Sequence, residues 1–171
     1  MDVSETRAES LTGRAVPNLW LTSTFGPEID LAAESLGNYV LFIYPRTGRP
    51  DRVEPAAWSS VPGAKGCTAE SCEFRNLAAD FAAAGYSIFG LSSQDTDEQR
   101  EAALRLDLPY WLLSDPSLEL AAALQLETFE FEGETLYKRS TLVVTDRTIA
   151  LAELEVSDPE SHPRELLARL R

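Results

Sequence analysis

The feature that most constrains this chain is an unbroken apolar run followed, after a long connection, by a helix that carries both cysteines. The run Tyr39–Tyr44 holds valine, isoleucine and aromatic residues, which is typical of a central strand covered on both faces. Residues 66–84 show apolar side chains at helical spacing, and Cys67 and Cys72 lie at the start of this predicted helix. The unpaired N–H groups and the dipole of a helix N-terminus stabilise negative charge, so the sequence places two thiols where a reactive thiolate is favoured.

Strand and helix patterns alternate through the rest of the chain. Further strands are predicted at residues 86–91, 111–113, 128–131, 136–144 and 148–154, and further helices at 95–106, 118–124 and 162–170. Up to Leu113 the order predicts parallel pairing through right-handed crossovers, whereas the two-residue turn between the last two strands predicts antiparallel pairing. Short apolar runs on either side of Gly26-Pro27 predict a β-hairpin. The predicted fold class is therefore α/β: a mixed sheet flanked by helices on both faces, with an N-terminal β-hairpin extension.

The length of 171 residues is enough for one domain with its own core. Residues 1–14 are polar and are expected to be flexible, so a single domain is expected at 15–171. Residues 46–65 are rich in proline and glycine and predict an inserted loop, with a short helix near residues 55–59. Loops of this length are uncommon and often functional. Trp58, in the middle of the loop, is expected to anchor it to the body of the domain.

Charge and hydropathy exclude several classes of partner. The net charge of −13 argues against nucleic-acid binding, which needs a basic face, and disfavours adhesion to an anionic membrane. No apolar run reaches the roughly 18 residues of a membrane span, and the first residues lack the apolar stretch of a secretory signal. We therefore expect a cytoplasmic protein, and the acidic surface weakly favours a monomer.

Two closely spaced cysteines in a cytosolic protein favour catalysis, redox sensing or metal binding over a structural disulfide. Zinc needs about four ligands, usually Cys and His. Besides its two cysteines the chain offers only His162, which we expect to be a surface residue where the last helix begins. We therefore predict no metal and no organic cofactor.

The spacing of Cys67 and Cys72 has a geometric consequence. On a helix, residues five apart have Cα atoms roughly 8–9 Å from each other. A disulfide needs Cα atoms within about 7 Å. The two thiols can therefore form a disulfide only if the first turns of the helix unwind, so local unfolding must separate a reduced and an oxidised state.

Position gives the two thiols different roles. Cys67 begins the helix and is expected to have the lower pKa, which Arg139 would lower further if it came near. A thiolate attacks a peroxide and becomes a sulfenic acid, and a second thiol, here Cys72, condenses with it to a disulfide. Other interpretations remain open: two buried apolar cysteines, a redox-regulated binding module, or a thiol–disulfide oxidoreductase that does not use peroxide, although the last usually carries Cys-x-x-Cys.

Several motifs resemble the peroxiredoxins, most closely the peroxiredoxin Q or bacterioferritin-comigratory group. They are Gly66-Cys67-Thr68 with Glu70, Cys72 and Phe74-Arg75; Tyr44-Pro45 at the end of the preceding strand; and Arg139-Ser140-Thr141 on a later strand. The resemblance runs from about residue 16 to the C-terminus. It implies a thioredoxin-like fold and thiol-dependent reduction of hydrogen peroxide or organic hydroperoxides, with thioredoxin or a similar dithiol protein as the electron donor.

The resemblance also implies which residues form the site. Cys67 would be the peroxidatic cysteine and Cys72 the resolving one, in an atypical two-cysteine mechanism. Arg139 would stabilise the thiolate and the peroxide, and the backbone at Gly66 and the side chain of Pro45 would line the substrate site.

The chain departs from the family upstream of Cys67. The family places Thr or Ser three residues before the peroxidatic cysteine, where this chain has Ala64. In the family, a proline precedes the peroxidatic cysteine by seven residues. Here Pro45 precedes Cys67 by 22 positions, which corresponds to an insertion of about 15 residues. Thr47 is expected to supply the missing hydroxyl if the insertion loops out.

Overall fold

The computed structural model describes residues 3–49, 51–61 and 64–171 and contains a seven-stranded sheet and a separate two-stranded one. The strands are β1 Trp20–Ser23, β2 Ile29–Asp30, β3 Tyr39–Ile43, β4 Ser87–Ser92, β5 Trp111–Ser114, β6 Thr128–Phe131, β7 Glu134–Tyr137, β8 Ser140–Thr145 and β9 Thr148–Glu153. The helices are α1 Val3–Leu11, α2 Cys67–Asn76, α3 Ala78–Ala83, α4 Thr96–Arg105, α5 Glu119–Leu124 and α6 His162–Leu170, with 3₁₀ turns at Glu34–Leu36 and Ala56–Ser60.

The main sheet has the order β2-β1-β5-β4-β3-β8-β9. Its centre, β3-β4-β5, is parallel, and β8 pairs antiparallel with both β3 and β9. The N-terminal hairpin β1-β2 adds to the sheet by antiparallel pairing of β1 with β5. The predicted mixed sheet and hairpin extension are therefore confirmed. Within the described ranges, no helix is both long and apolar enough to cross a membrane.

Strand β3 divides the core into two layers because successive side chains of a strand point to opposite faces. Tyr39, Leu41 and Ile43 pack with residues of α1 and α5, whereas Val40 and Phe42 pack with residues of α2, α3, α4 and α6. All five residues of β3 are buried. Helices therefore cover both faces of the sheet, as the apolar run of β3 predicts.

The N-terminal segment is ordered, and the prediction of a flexible segment is wrong for residues 3–14. Helix α1 packs against β9, and Leu11 is buried in the core. Arg7 also pairs with Glu127 at 2.7 Å. The polar sequence of α1 gives little sign of these long-range contacts. Helix α1 therefore packs on the same core as the rest of the domain.

Two predicted elements are each divided in the structure. The predicted helix 66–84 becomes α2 and α3, which meet at Leu77 outside the helical backbone region. The predicted strand 136–144 becomes β7 and β8, and Lys138 and Arg139 lie between them. This second break determines the position of Arg139.

The inserted loop packs on the β6-β7 hairpin. Trp58, in the 3₁₀ turn, is buried and lies 5.0 Å from Phe131 of β6 between ring centroids. Ala64 and Leu136 complete this small apolar cluster. The expected anchoring role of Trp58 is confirmed, and the end of the loop is held directly before Cys67.

Candidate active site

Helix α2 begins at Cys67 because Gly66 turns the chain into it. Gly66 has a φ of 111°, which favours glycine, and a Cβ there would lie 3.0 Å from the ring of Pro159. The Cys67 side chain is 3% exposed, and its thiol donates to the carbonyl of Ala64 at 3.6 Å. Gly66 therefore shapes the helix start that presents the cysteine.

Arg139 lies against the sulfur of Cys67. Its Nη2 is 2.9 Å from the Sγ of Cys67 and also donates to the carbonyl of Ala64 at 3.2 Å. Its Nη1 donates to Oε1 of Glu70 at 2.6 Å, and both side chains of this ion pair are almost fully buried. One guanidinium thus binds a thiol and a carboxylate one helical turn apart on α2.

Strand pairing brings Arg139 to this point. It directly precedes β8, whose first residue, Ser140, pairs with Ile43 at the end of β3. The start of β8 and the end of β3 therefore lie side by side, next to the N-terminus of α2. Tyr44 continues from β3, is fully buried, and interacts electrostatically with Cys67, Glu70 and Arg139.

Burial raises the pKa of the Cys67 thiol, contrary to the prediction from its place at a helix start. The charge of Arg139, its hydrogen bond and the backbone N–H of Arg46 act in the opposite direction, and the Glu70 charge raises the pKa further. Burial also raises the pKa of Glu70 to about 7, although Arg139 opposes this. Cys67, Glu70 and Arg139 thus form a buried thiol cluster, in which the ionised forms of two acids compete for one cation.

Cys72 also lies on α2, half-buried and as a free thiol. The two cysteines therefore share one intact helix, the arrangement in which the spacing argument forbids a disulfide. The neighbouring Ser71 is buried, and its carbonyl accepts a hydrogen bond of 2.7 Å from the hydroxyl of Tyr110. Unwinding α2 as far as Cys72 must break this bond.

Pro45 and Thr47 are buried where the chain leaves β3. The backbone N–H of Thr47 donates to Oε1 of Gln94 at 3.3 Å. Among the residues that the structure describes, the hydroxyl of Thr47 makes no hydrogen bond with Cys67. Its expected replacement of the hydroxyl missing at Ala64 stays a prediction.

His162 is buried, so its prediction as a surface residue is wrong. Its Nε2 lies 2.9 Å from the hydroxyl of Thr141, and its ring contacts Phe74 edge-on. Burial lowers the pKa of His162 to about 4. It is a neutral residue between α6, β8 and α2. Within the described parts of the chain, no group of three or more His, Cys, Asp and Glu side chains could hold a metal.

Two residues of the site, Glu70 and Arg46, were not predicted as functional from the sequence. Glu70 entered only as part of the motif around Cys67, whereas it is fully buried and paired with Arg139. The signal for Arg46 was its place directly after Tyr44-Pro45, where the central parallel strand ends. Binding residues of α/β sheets often lie at that edge.

A groove of about 410 Å³ adjoins the buried cluster. Arg139 contributes to its lining together with the apolar side chains of Val61, Phe129, Leu154 and Val156, and Lys138 is also part of it. The groove thus lies between the inserted loop, the β6-β7 hairpin and the segment after β9.

Known proteins are similar to this chain in both sequence and structure. The Redoxin family model matches residues 11–169. A putative peroxiredoxin of Mycobacterium tuberculosis is 31% identical over 136 residues, 79% of each chain, and peroxiredoxin Bcp of Bacillus subtilis is 26% identical over 93% of this chain and 94% of its own. Chloroplastic peroxiredoxin Q of Arabidopsis thaliana is 30% identical over 103 residues, 60% of this chain and 41% of that relative.

The crystal structure of peroxidoxin BcpB from Mycobacterium tuberculosis superposes with a TM-score of 0.73, at 31% identity over 94% of this chain and 96% of that one. The fold is therefore thioredoxin-like, as the motifs implied. On these grounds the chain belongs to the redoxin family and, within it, to the peroxiredoxin Q and bacterioferritin-comigratory group of peroxiredoxins.

Proposed function

We propose that the chain is an atypical two-cysteine peroxidase that reduces hydrogen peroxide and organic hydroperoxides. The observation that carries the proposal is the 2.9 Å contact between Nη2 of Arg139 and the Sγ of Cys67 at the start of α2. A guanidinium at that distance stabilises both a thiolate and the negative charge that develops on peroxide oxygen during attack. Cys72, on the same helix, supplies the second thiol.

The charge balance of the cluster defines the reactive state. Arg139 is one cation facing two buried acids, Cys67 and Glu70, so the cluster is neutral when one acid is ionised and the other protonated. The state with a Cys67 thiolate and a protonated Glu70 is the nucleophilic one. Because the pKa of Glu70 is raised to about 7, this carboxyl can hold the proton near neutral pH.

In the first step the peroxide oxidises the Cys67 thiolate. The Cys67 sulfur attacks one peroxide oxygen, an S–O bond forms and the O–O bond breaks, and the leaving oxygen takes the proton of the cluster as water or alcohol. Cys67 is left as a sulfenic acid. Cys72 then attacks the sulfur of this sulfenic acid: an S–S bond forms, the S–O bond breaks, and the leaving hydroxyl takes the proton of the Cys72 thiol as water.

The second step requires α2 to unwind from its start. Phe74 is fully buried and stacks on Phe42 of β3 with ring centroids 4.5 Å apart, which anchors the helix beyond Cys72. We propose that residues 67–72 leave the helical conformation while Phe74 stays in place. The hydrogen bond from Tyr110 to Ser71 opposes this opening.

The groove beside Arg139 supports the inclusion of organic hydroperoxides. Its apolar side chains, Val61, Phe129, Leu154 and Val156, suit an alkyl group, and Arg139 joins it to the reacting thiol. Within the site, we assign Pro45 to shielding the thiol from water, Thr47 to hydrogen bonding of the peroxide, and the N–H groups at Gly66 and Cys67 to stabilising negative charge.

The cycle closes when a dithiol protein reduces the Cys67–Cys72 disulfide. We propose thioredoxin or a similar protein as this reductant, because Cys72 is partly exposed and the proposed unwinding of α2 leaves the disulfide accessible to a partner protein. Two cysteines are too few for the disulfide framework of a secreted domain, and we propose a cytoplasmic monomer.

Chemical trapping tests this function. After one equivalent of hydrogen peroxide, mass spectrometry of the wild type should show an intramolecular Cys67–Cys72 disulfide. Cys72→Ser should instead give a sulfenic acid on Cys67 that dimedone traps. A wild type that forms no disulfide with peroxide but exchanges readily with protein disulfides would contradict the proposal and favour the thiol–disulfide oxidoreductase.

A further inference from the structure

The side chain of Arg46 joins three separate segments of the chain. Its Nη2 donates to Glu54 at 2.7 Å and its Nη1 lies 3.5 Å from Glu134, so it pairs with the inserted loop and with β7. Its guanidinium carbon lies 4.4 Å from the ring centroid of Trp58 and 5.3 Å from that of Phe131. The Arg46 side chain is only 12% exposed, although the carboxylate of Glu134 is 64% exposed, so the contacts with Glu54 and the two rings are the better shielded ones. We call these five side chains the Arg46 clamp.

Each segment held by the clamp also contributes an atom to the buried thiol cluster. The backbone N–H of Arg46 itself lowers the pKa of the Cys67 thiol. Ala64, which packs in the same apolar cluster as Trp58 and Phe131, accepts hydrogen bonds from Cys67 and from Arg139. The hairpin held through Phe131 and Glu134 leads into Arg139 two residues after β7 ends.

We propose that Arg46 is a positioning residue, which holds the end of β3, the inserted loop and the β6-β7 hairpin together around the reacting Cys67. This inference rests on the proposed function and adds to it the residue that organises the site. The positive charge of Arg46 is matched by Glu54 and Glu134, so its effect on the sulfur is exerted through the position of its backbone and of Ala64.

The chemistry of the clamp requires arginine and not merely a cation. A planar guanidinium stacks on aromatic rings while it faces carboxylates in fixed directions, whereas a lysine ammonium is a compact, strongly hydrated charge. Arg46→Lys therefore keeps the charge and most of the side-chain length but cannot make all four contacts. The substitution therefore changes the geometry of the Arg46 clamp while the charge at residue 46 stays the same.

The experiment uses Cys72→Ser chains, in which Cys67 is the remaining thiol. The pH dependence of Cys67 alkylation by iodoacetamide gives its pKa, and stopped-flow mixing with hydrogen peroxide gives its rate constant. Arg46→Lys should raise the pKa of Cys67 by about one unit and slow the peroxide reaction about tenfold at neutral pH. Arg49→Lys is the matched control, because Arg49 lies on the same loop in an exposed pair with Asp51 and should change neither quantity.

Trp58→Leu provides a second way to open the clamp, and it leaves Arg46 in place. It should raise the pKa of Cys67 in the same direction, and the double variant should show less than the sum of the two effects, because both act through one clamp. A purely structural role would lower the urea unfolding midpoint of Arg46→Lys and leave the pKa and the peroxide rate constant of Cys67 unchanged, which would overturn the inference. If the Cys72→Ser parent itself reacted with peroxide only as fast as free cysteine, the proposed function would fail instead.

Discussion

Replacement of Arg139 by methionine removes the cation of the buried cluster and keeps an unbranched side chain in its place. Arg139 is 4% exposed, so water does not replace its contacts with Cys67 and Glu70. A hydrogen bond to a charged group contributes about 1.5–3 kcal/mol, which corresponds to a rise of about 1–2 units in the pKa of Cys67. The lost stabilisation of charge developing on the peroxide adds a factor of about 10²–10³. We therefore expect kcat/KM at neutral pH to fall at least about a hundredfold.

The loss of Arg139 also changes the protonation of Glu70, and this second change partly offsets the first. Without Arg139, the carboxylate of Glu70 is left buried and unpaired, so it takes up a proton and no longer repels the thiolate. This limits both the rise in the Cys67 pKa and the loss of folding stability. The double variant Arg139→Met/Glu70→Gln removes the stranded acid and keeps the test valid if the single variant unfolds.

The assay is the steady-state reduction of hydrogen peroxide with a dithiol donor, together with iodoacetamide alkylation of Cys67 as a function of pH. Arg139→Lys is the matched control, because it keeps the charge but cannot bind Cys67, Glu70 and Ala64 at once, and its kcat/KM should lie between those of wild type and Arg139→Met. If Arg139→Met folds with wild-type kcat/KM and an unchanged Cys67 pKa, the proposed role of Arg139 is refuted.

Three further predictions concern the residues around the thiols. The pKa of Glu70 is raised from 4.5 to about 7, so the folded state holds a proton that the unfolded state releases, and unfolding free energy should fall as pH rises through that window. Glu70→Gln should abolish this part of the pH dependence in urea titrations and lower the pKa of Cys67; an identical pH dependence in both proteins would contradict the charge balance. Tyr110→Phe removes the hydrogen bond to Ser71, worth about 0.5–1.5 kcal/mol, and should speed disulfide formation up to about tenfold in stopped-flow fluorescence without changing the peroxide step; slower or unchanged disulfide formation would count against unwinding of α2. Thr47→Val should lower kcat/KM about tenfold and leave the Cys67 pKa unchanged, because its hydroxyl is assigned to the peroxide; an unchanged kcat/KM would show that Thr47 has no part in the reaction.

The periodic elements of the fold could be predicted from the sequence because local patterns determine them. The apolar run of β3 predicted a central strand, and the two-residue turn before β9 predicted antiparallel pairing. Helix α1 could not be predicted this way, because its polar segment is held by distant contacts such as those with β9 and Glu127. Its order depends on parts of the chain that are distant in sequence.

In the site, too, local motifs could be predicted from the sequence, whereas features that depend on distant contacts could not. The motif around Cys67 and Cys72 identified both thiols, and the later Arg-Ser-Thr motif identified Arg139. The direction of the Cys67 pKa was predicted wrongly, because the helix start is a local feature whereas complete burial depends on how the inserted loop and the start of β8 pack around it. The burial of Glu70 and of His162 was missed for the same reason.

The most direct test of the central claim is the second-order rate constant for oxidation of Cys67 by hydrogen peroxide. Trp58, buried in the cluster that contains Ala64, provides the fluorescence signal in stopped-flow mixing. We predict a rapid, concentration-dependent phase in wild type and in Cys72→Ser, no such phase in Cys67→Ser, and a second phase of disulfide formation in wild type alone. Oxidation of the wild-type protein no faster than that of free cysteine would contradict the account.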